Sequence, residues 1–121
     1  MSEQLTTNFQ RHEFRCPDCG QDDIDLGLVN MLQVMREGSG PLHITSGVRC
    51  KTHNKAVGGK PSSAHLRGLA VDILCKASRK RYLVVSGAIG AGFTRIGVGA
   101  DFVHLDIAPG KAACVMWDYY K

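Results

Sequence analysis

The sequence lacks any apolar run that approaches the roughly eighteen residues of a membrane-spanning helix. Its opening stretch, Met-Ser-Glu-Gln-Leu-Thr-Thr-Asn, has neither the basic start nor the apolar segment of a secretory signal peptide. No disordered tail, second domain or dimerisation heptad is visible either. We therefore expect residues 1–121 to form a single monomeric domain that is made in the cytoplasm and does not insert into a membrane.

The cysteines do not form the even set that a disulfide framework requires. The chain has five of them, and this odd number, together with the missing export signal, predicts reduced thiols in a reducing compartment. The pair Cys16-x-x-Cys19 has the spacing of half a structural zinc site or of a redox pair. We favour a plain turn, because no second half-site follows in the sequence. A second metal stays open, with Cys50, Cys75 or Cys114 approaching in space.

Aromatic residues make up only 7% of the chain and charged residues 21%, beside 44% hydrophobic residues, a composition typical of an ordinary globular protein. The formal net charge is +4, and the basic residues are scattered apart from Arg79–Arg81. They are not interleaved with aromatic residues as on a nucleic-acid-binding surface, so we expect no nucleic-acid partner. A basic surface suits an anionic polymer, whether cell wall or nucleic acid, and charge alone does not choose between the two.

Two histidines and one aspartate stand out within apolar surroundings. Leu69–Leu74 is typical of a buried strand, in which Asp72 is costly unless a metal or a cation compensates its charge. Phe102–Ile107 alternates in the same way and places His104 on one face of a second strand. If the strands are neighbours, Asp72 and His104 meet across them, and His65 joins from the preceding loop. Two imidazoles and one carboxylate suit a tetrahedral zinc with an open fourth position, as in catalytic sites.

The sequence around these residues resembles the zinc D,D-peptidase family. The matching motifs are HxxGxAxD over residues 65–72 and DxxH over residues 101–104, and the similarity extends upstream through residues 44–50, 53–54 and 57–59. Residues 9, 13–16 and 23–40 are similar to compact members from phages and bacteria, so the resemblance covers nearly the whole chain. This family contains D-Ala-D-Ala carboxypeptidases and L-alanyl-D-glutamate endopeptidases that act on peptidoglycan, and it shares a fold with the Hedgehog signalling domain. The expected fold is therefore α+β, with a small antiparallel sheet flanked by helices and a single zinc site on the sheet.

The family's functional residues carry over position by position. The resemblance implies that Zn²⁺ is bound by His65, Asp72 and His104. It also implies a catalytic base at Asp101, and a substrate-binding arginine at Arg49 that supports negative charge developing on the substrate. Ser63, two residues before the first ligand, is implied to help hold the substrate.

The position of Asp101 sets a structural condition on this assignment. Strict alternation puts Asp101 on the strand face opposite His104, so it must lie in a turn or at a bulge to act as the base. Asp106, two residues beyond His104, shares the histidine's face. It is either a partner that orients the imidazole or one half of a salt bridge at the edge of the site.

The implied activity is that of a zinc metallopeptidase that hydrolyses peptidoglycan stem peptides or cross-links with a metal-activated water. The sequence leaves open whether it is endolysin-like or D-Ala-D-Ala carboxypeptidase-like. We expect no separate wall-binding domain, and a phage-encoded protein would reach the wall by holin-type release. One alternative is a catalytically inactive zinc-containing binding domain of the same fold. Another is a metal-dependent nuclease, suggested by the charge and by the paired cysteines.

Outside the site, sequence patterns predict the scaffold. A helix capped by Asp22 or Asp23 is expected to end at Gly38–Pro41, and a second helix capped by Ser78 to end near Gly90. Strands are expected over Leu42–Ser46 and Phe93–Val98, and a loop that borders the cleft over Cys50–Ala64. In this loop we expect His53 to have a structural or rim role. The apolar segment 112–120 is expected to close the core, or alternatively to line the substrate groove through Trp117 or a tyrosine.

Overall fold

The computed structural model describes residues 2–120 and shows an α+β domain with three α-helices and one five-stranded sheet. The helices are α1 (Leu26–Ser39), α2 (Lys51–Ala56) and α3 (Ser78–Gly90). The strands are β1 (Ile44–Ser46), β2 (Ala70–Leu74), β3 (Arg95–Val98), β4 (Phe102–Asp106) and β5 (Val115–Asp118). Short 3-10 helices cover Arg11–Phe14 and Ala64–Arg67. Within the described residues, no helix has the combination of length and apolar character that crossing a membrane demands.

The strand order in the sheet is β1-β2-β4-β3-β5. Neighbouring strands are antiparallel except β3 and β5, which run parallel. The sheet is therefore mixed, whereas the sequence predicts an antiparallel one, because β5 comes from the segment expected only to close the core. The condition that the strands carrying Asp72 and His104 are neighbours is met by β2 and β4, and their register places the two residues directly opposite each other.

Alternation along the central strands separates a core face from a site face. The side chains of one set are fully buried in the main apolar cluster: Val71, Ile73, Val103 and Leu105. The helices contribute to the same cluster with Leu28, Leu32, Met35, Val84 and Ala88. The intervening residues of the strands, including Asp72 and His104, point to the other face. The sheet thus separates a dry core from a polar site and holds the site on a rigid backbone.

The first helix begins two or three residues later than the sequence predicts. Asp25 caps α1, because its Oδ1 accepts a hydrogen bond from the Leu28 backbone N–H at 3.0 Å. The predicted caps Asp22 and Asp23 are wrong for this reason. The Asp25 backbone N–H donates to the Gly68 carbonyl at 2.9 Å. This hydrogen bond holds residues before Leu26 against the turn that precedes β2, so the helix starts only after Asp25.

The other two helices also differ at their starts. Helix α3 covers the predicted range, but Ser78 is its first residue and Ala77, at the cap position, offers no side-chain acceptor. Helix α2 lies in the stretch that the sequence predicts to be a loop. Its cap is the sulfur of Cys50, which accepts from the His53 backbone N–H at 3.4 Å. With six residues and no apolar periodicity, α2 carries no helix signal in the sequence.

Candidate metal centre and active site

His65 is placed by a short turn that its neighbours build. Ser63 Oγ accepts from the His65 backbone N–H at 3.2 Å and begins the 3-10 helix Ala64–Arg67, which Gly68 ends with a φ of +68°. A side chain on Gly68 would overlap neighbouring backbone, so glycine is required. The imidazole of His65 is buried, and its Nδ1 donates to the Gly47 carbonyl at 2.7 Å. Since a carbonyl only accepts, the lone pair of this ring lies on Nε2.

His104 is oriented from the other side of the centre. Its Nε2 donates to Asp106 Oδ2 at 2.7 Å, which leaves the lone pair on Nδ1. Both residues are buried on β4 and share the site face, as alternation predicts. The other carboxylate oxygen of Asp106 accepts from Arg95 Nε at 2.7 Å. Both interpretations of Asp106 therefore hold, because it orients an imidazole and also forms a salt bridge.

The two lone pairs converge on one carboxylate oxygen. His65 Nε2 lies 3.2 Å and His104 Nδ1 lies 2.9 Å from Asp72 Oδ1. The ligand atoms of these three residues all lie within 4.8 Å of one another. With neutral imidazoles all three atoms are acceptors, so they repel one another unless protons or a metal cation lie among them. Two imidazole nitrogens and one carboxylate oxygen fit the donor set of a catalytic zinc ion.

The charges of the centre are strongly coupled. Burial alone would raise the pKa of Asp72, but His104 and His65, which donate to Asp72 when they carry a second proton, outweigh burial and hold that pKa well below its usual range. Burial alone would lower the pKa of His104, whereas Asp106 and Asp72 raise it above the ordinary value. Burial opposes ionisation of Asp106 as well, and the hydrogen bond from His104 lowers its pKa. Both carboxylates are therefore anionic, and the centre favours a bound cation.

Arg49 contacts the second oxygen of the central carboxylate. Its Nη2 donates to Asp72 Oδ2 at 3.0 Å, in a pair whose side chains are each 12% exposed. Ser46 Oγ accepts from its Nε at 3.0 Å, and Asn54 Oδ1 accepts from its Nη1 at 3.2 Å. The guanidinium is thus fixed by three residues, and it lines the cleft above the centre. The predicted contact of Arg49 with substrate stays a prediction.

A chain of contacts extends from His104 to the C-terminal strand. Arg95, which is bound to Asp106, places its guanidinium carbon 5.0 Å from the centroid of the Trp117 ring. The Trp117 and His104 ring centroids are 5.7 Å apart. Gly97 makes room for the indole, because a Cβ there would lie 2.7 Å from Trp117 Nε1. The groove-lining role that the sequence offers as an alternative for Trp117 matches this placement.

An open cleft of about 780 Å³ lies over the centre, a size within the range of small-ligand sites. The metal-centre residues form part of its lining. Basic side chains line it as well: Arg49, Lys60, Arg95 and Lys111. The C-terminal segment contributes Trp117, Asp118, Tyr119 and Tyr120. Basic and acidic side chains therefore both line the cleft, with Arg49 and Arg95 paired to aspartates and Lys60 and Lys111 left at the rim. The aromatic wall is built by β5 and the residues that follow it.

Asp101 lies apart from this cleft. It is exposed in the bend before β4, where its carbonyl accepts from the Cys75 backbone N–H at 2.8 Å, and among the described residues it does not line the cleft. The pairing of β2 with β4 is regular along its length, so no bulge there turns Asp101 toward the site. Its role as a base stays a prediction. Ser63 does line the cleft, and its hydroxyl also caps the turn that carries His65.

The fold and the site define the class of protein. A mixed sheet carries a His/Asp/His group at the bottom of a cleft, which is an arrangement suited to a metallopeptidase. A family model described as Peptidase M15 matches residues 7–106, and the chain belongs to this family. Its members are zinc-dependent peptidases of the D-Ala-D-Ala carboxypeptidase type, which confirms the resemblance found in the sequence. No curated protein matches the chain.

Proposed function

We propose that this chain is a zinc-dependent peptidase that hydrolyses a peptide bond in peptidoglycan stem peptides or cross-links. The observation that carries the proposal is the convergence of three acceptor atoms, His65 Nε2, Asp72 Oδ1 and His104 Nδ1, at a cleft open to solvent. Membership of the Peptidase M15 family supports it independently. As part of the proposal, the chain forms one catalytic domain, since a single apolar cluster extends from Phe9 to Leu105.

His65, Asp72 and His104 would hold the metal, each already oriented by a second contact. A zinc ion bound there supplies Lewis acidity, which activates water and polarises a carbonyl. Gly47 and Asp106 fix which nitrogen of each imidazole faces the centre, so the histidines need not reorganise on binding.

Arg49 has two roles in this proposal. Its bond to Asp72 Oδ2 leaves the other carboxylate oxygen for the metal. Its guanidinium also lines the cleft, where it stabilises negative charge that develops on the scissile carbonyl or anchors a carboxylate of the peptide. Lys60 and Lys111, which also line the cleft, suit the anionic groups of a stem peptide. Ser63 would contact the peptide from the turn before His65.

We propose Asp101 as the group that takes the proton of the attacking water and passes it to the leaving amine. Its support is the motif Asp101-x-x-His104 within the family match. The bend before β4 would have to turn its carboxylate into the cleft when substrate binds. Asp118 already lines the cleft and is therefore the carboxylate to compare with it.

The deciding experiment measures zinc content and hydrolysis of purified peptidoglycan, with and without a chelator, and follows the new amino termini. We expect cleavage that the chelator abolishes and added zinc restores, and a His104→Ala variant that loses both activity and one zinc ion. Zinc without cleavage would favour an inactive binding domain. The identity of the released terminus separates an endopeptidase from a carboxypeptidase. The phage setting and holin-type release stay predictions.

A further inference from the structure

A second group of metal-binding side chains lies outside the cleft. Cys16 and Cys19 flank a tight turn in which the Cys16 backbone N–H donates to the Gln21 carbonyl at 2.7 Å. The Gly20 backbone N–H donates back to the Cys16 carbonyl at 2.9 Å, and Gly20 has a φ of +80°, which favours glycine. This turn brings the two cysteines of the motif together.

The third sulfur comes from a distant part of the chain. Cys50 caps α2, and its Sγ lies 3.8 Å from Cys16 Sγ. The sulfurs of Cys16, Cys19 and Cys50 all lie within 4.8 Å of one another. The remaining cysteines, Cys75 and Cys114, are not part of this group. The partner that the sequence leaves open for the Cys-x-x-Cys motif is therefore Cys50.

Neither packing nor a disulfide accounts for three thiols at one place. Cys16 is buried and by itself could serve as a small apolar side chain, but Cys19 is exposed and gains nothing from packing. All five cysteines are free, and a bond between any two of the three would leave the third thiol without a role. Soft thiolate groups that converge in this way bind zinc, Cu(I) or iron–sulfur clusters, and zinc is the metal that a set of cysteines with one histidine typically holds.

We propose that Cys16, Cys19, Cys50 and His53 bind a structural zinc ion that is distinct from the metal centre on the sheet. Cys50-x-x-His53 would be the second half-site, which sequence reasoning missed; the His53 imidazole is not among the three ligand groups within 4.8 Å of one another and would turn toward the sulfurs when zinc binds. Positions three apart share one face of a helix, and His53, which lies in the first turn of α2, is half-buried. Three cysteines and one histidine form a closed donor set that is typical of structural zinc. Asp18, whose Oδ2 lies 3.2 Å from Cys50 Sγ, is the competing fourth ligand.

The second zinc ion would tie the N-terminal turn to the residues that position Arg49. Cys50 follows Arg49 directly, and Asn54 on α2 accepts one of the arginine's hydrogen bonds. The Val48 backbone N–H donates to the Phe14 carbonyl at 2.9 Å, so the two segments already meet beside the cluster. A metal at the cluster would cross-link the N-terminal turn to the segment that contains Arg49, and so keep Arg49 aligned with Asp72.

The test begins with zinc counts on the full-length protein purified under reducing conditions. We expect two zinc ions per chain in the unmodified protein and one in a His65→Ala/His104→Ala variant. We also expect one in a Cys19→Ser variant, and a matched Cys114→Ser variant should keep both ions. Because the double variant lacks the centre on the sheet, its remaining zinc reports on the cysteine cluster even if the proposed peptidase activity is absent.

Spectroscopy then identifies the ligands. X-ray absorption of the His65→Ala/His104→Ala variant should show sulfur scatterers at about 2.3 Å from zinc. Cobalt in its place should give sulfur-to-metal charge-transfer absorption. His53→Ala should change the cobalt spectrum and weaken zinc retention, whereas Asp18→Ala should leave both unchanged. A change with Asp18→Ala alone would overturn the assignment of His53.

Two outcomes would overturn the second site itself. One is a single zinc ion per chain that disappears in the His65→Ala/His104→Ala variant. The other is rapid alkylation of Cys19 in the zinc-loaded protein at the rate of exposed Cys114, because a coordinated thiolate is protected. With the metal bound, we expect Cys114 to react and the three cluster cysteines to react only after chelation.

Discussion

Asp106→Asn is a sharp test of how the centre is built. Asp106 is 3% exposed and accepts from His104 Nε2 and from Arg95 Nε, each at 2.7 Å. If the asparagine oxygen faces His104, the amide NH₂ group faces the guanidinium N–H, and two donors oppose each other. If the amide is flipped, His104 must carry its proton on Nδ1, the nitrogen that faces Asp72 Oδ1. Either arrangement weakens the metal centre.

The magnitude follows from the kind of contact that is lost. Removing such an outer partner costs about 10- to 100-fold in metal affinity or activity. At about 1.4 kcal/mol per tenfold, this corresponds to about 1.4 to 2.8 kcal/mol of zinc binding free energy. Weakening the pair with the half-buried Arg95 also lowers the free energy of unfolding, so the variant's melting temperature must be measured alongside.

The assay is a competitive titration with a chromophoric chelator. The affinity is determined for the zinc ion that His104→Ala removes, separately from that of the ion proposed at the cysteine cluster. Asp118→Asn is the matched control, because Asp118 lines the same cleft but is not a partner of His104. We expect the control to bind zinc as the unmodified protein does. A folded Asp106→Asn variant with zinc affinity within about twofold of the unmodified protein would refute the orienting role, since the expected loss is at least about tenfold.

Three further predictions concern catalysis and metal retention. Asp101→Asn should abolish peptidoglycan hydrolysis in a turnover assay while zinc content stays unchanged, and a larger loss with Asp118→Asn would move the base to that residue. Gly97→Ala should push the indole of Trp117 away from the centre, because the new Cβ would lie 2.7 Å from its Nε1. The fluorescence of this single tryptophan should shift, kcat/KM should fall, and zinc should remain bound; an unchanged spectrum would contradict the close contact. Acidification should release zinc, since protons compete for the imidazole nitrogens. Burial alone would lower the pKa of His104, but its carboxylate partners raise it, so protons should compete for this nitrogen more strongly than for an ordinary imidazole, and zinc affinity should fall as the pH falls. Equilibrium dialysis across pH measures this, and an affinity that stays constant between neutral and acidic pH would contradict it.

The metal centre could be predicted because its residues interrupt strong local patterns. Asp72 lies in a short apolar run, which predicts a buried strand on which its charge must be compensated, and His104 lies in an alternating run, which predicts the face opposite Val103 and Leu105. The two strands are antiparallel neighbours in the structure, and their register places Asp72 opposite His104. His65 was expected in the loop before β2, where it lies on a 3-10 turn.

The residues that fix the centre could not be predicted in the same way. Ser46 and Arg95 are ordinary polar residues in sequence, and their roles arise only when β1 and β3 come beside the site. The parallel pairing of β5 was missed because Val115–Asp118 is short and its residues Val115, Met116 and Trp117 form a continuous apolar run, whereas apolar and polar residues alternate along β4. The cysteine cluster depends on the contact between Cys16 and Cys50, which no local pattern contains.

The two histidines differ in how easily mutation can disturb them. The ring of His65 is held by the backbone carbonyl of Gly47, and this contact depends on glycine, because a Cβ at Gly47 would lie 2.8 Å from the Phe14 backbone and would displace the segment. The ring of His104 is held by the side chain of Asp106, which a single nucleotide change can remove. The orientation of His104 therefore depends on one side chain, whereas that of His65 depends on two glycines, Gly47 and Gly68, at which a Cβ would overlap neighbouring backbone. An isosteric change at Asp106 can weaken metal binding while the fold persists, but any side chain at either glycine would disturb the backbone as well as the metal centre.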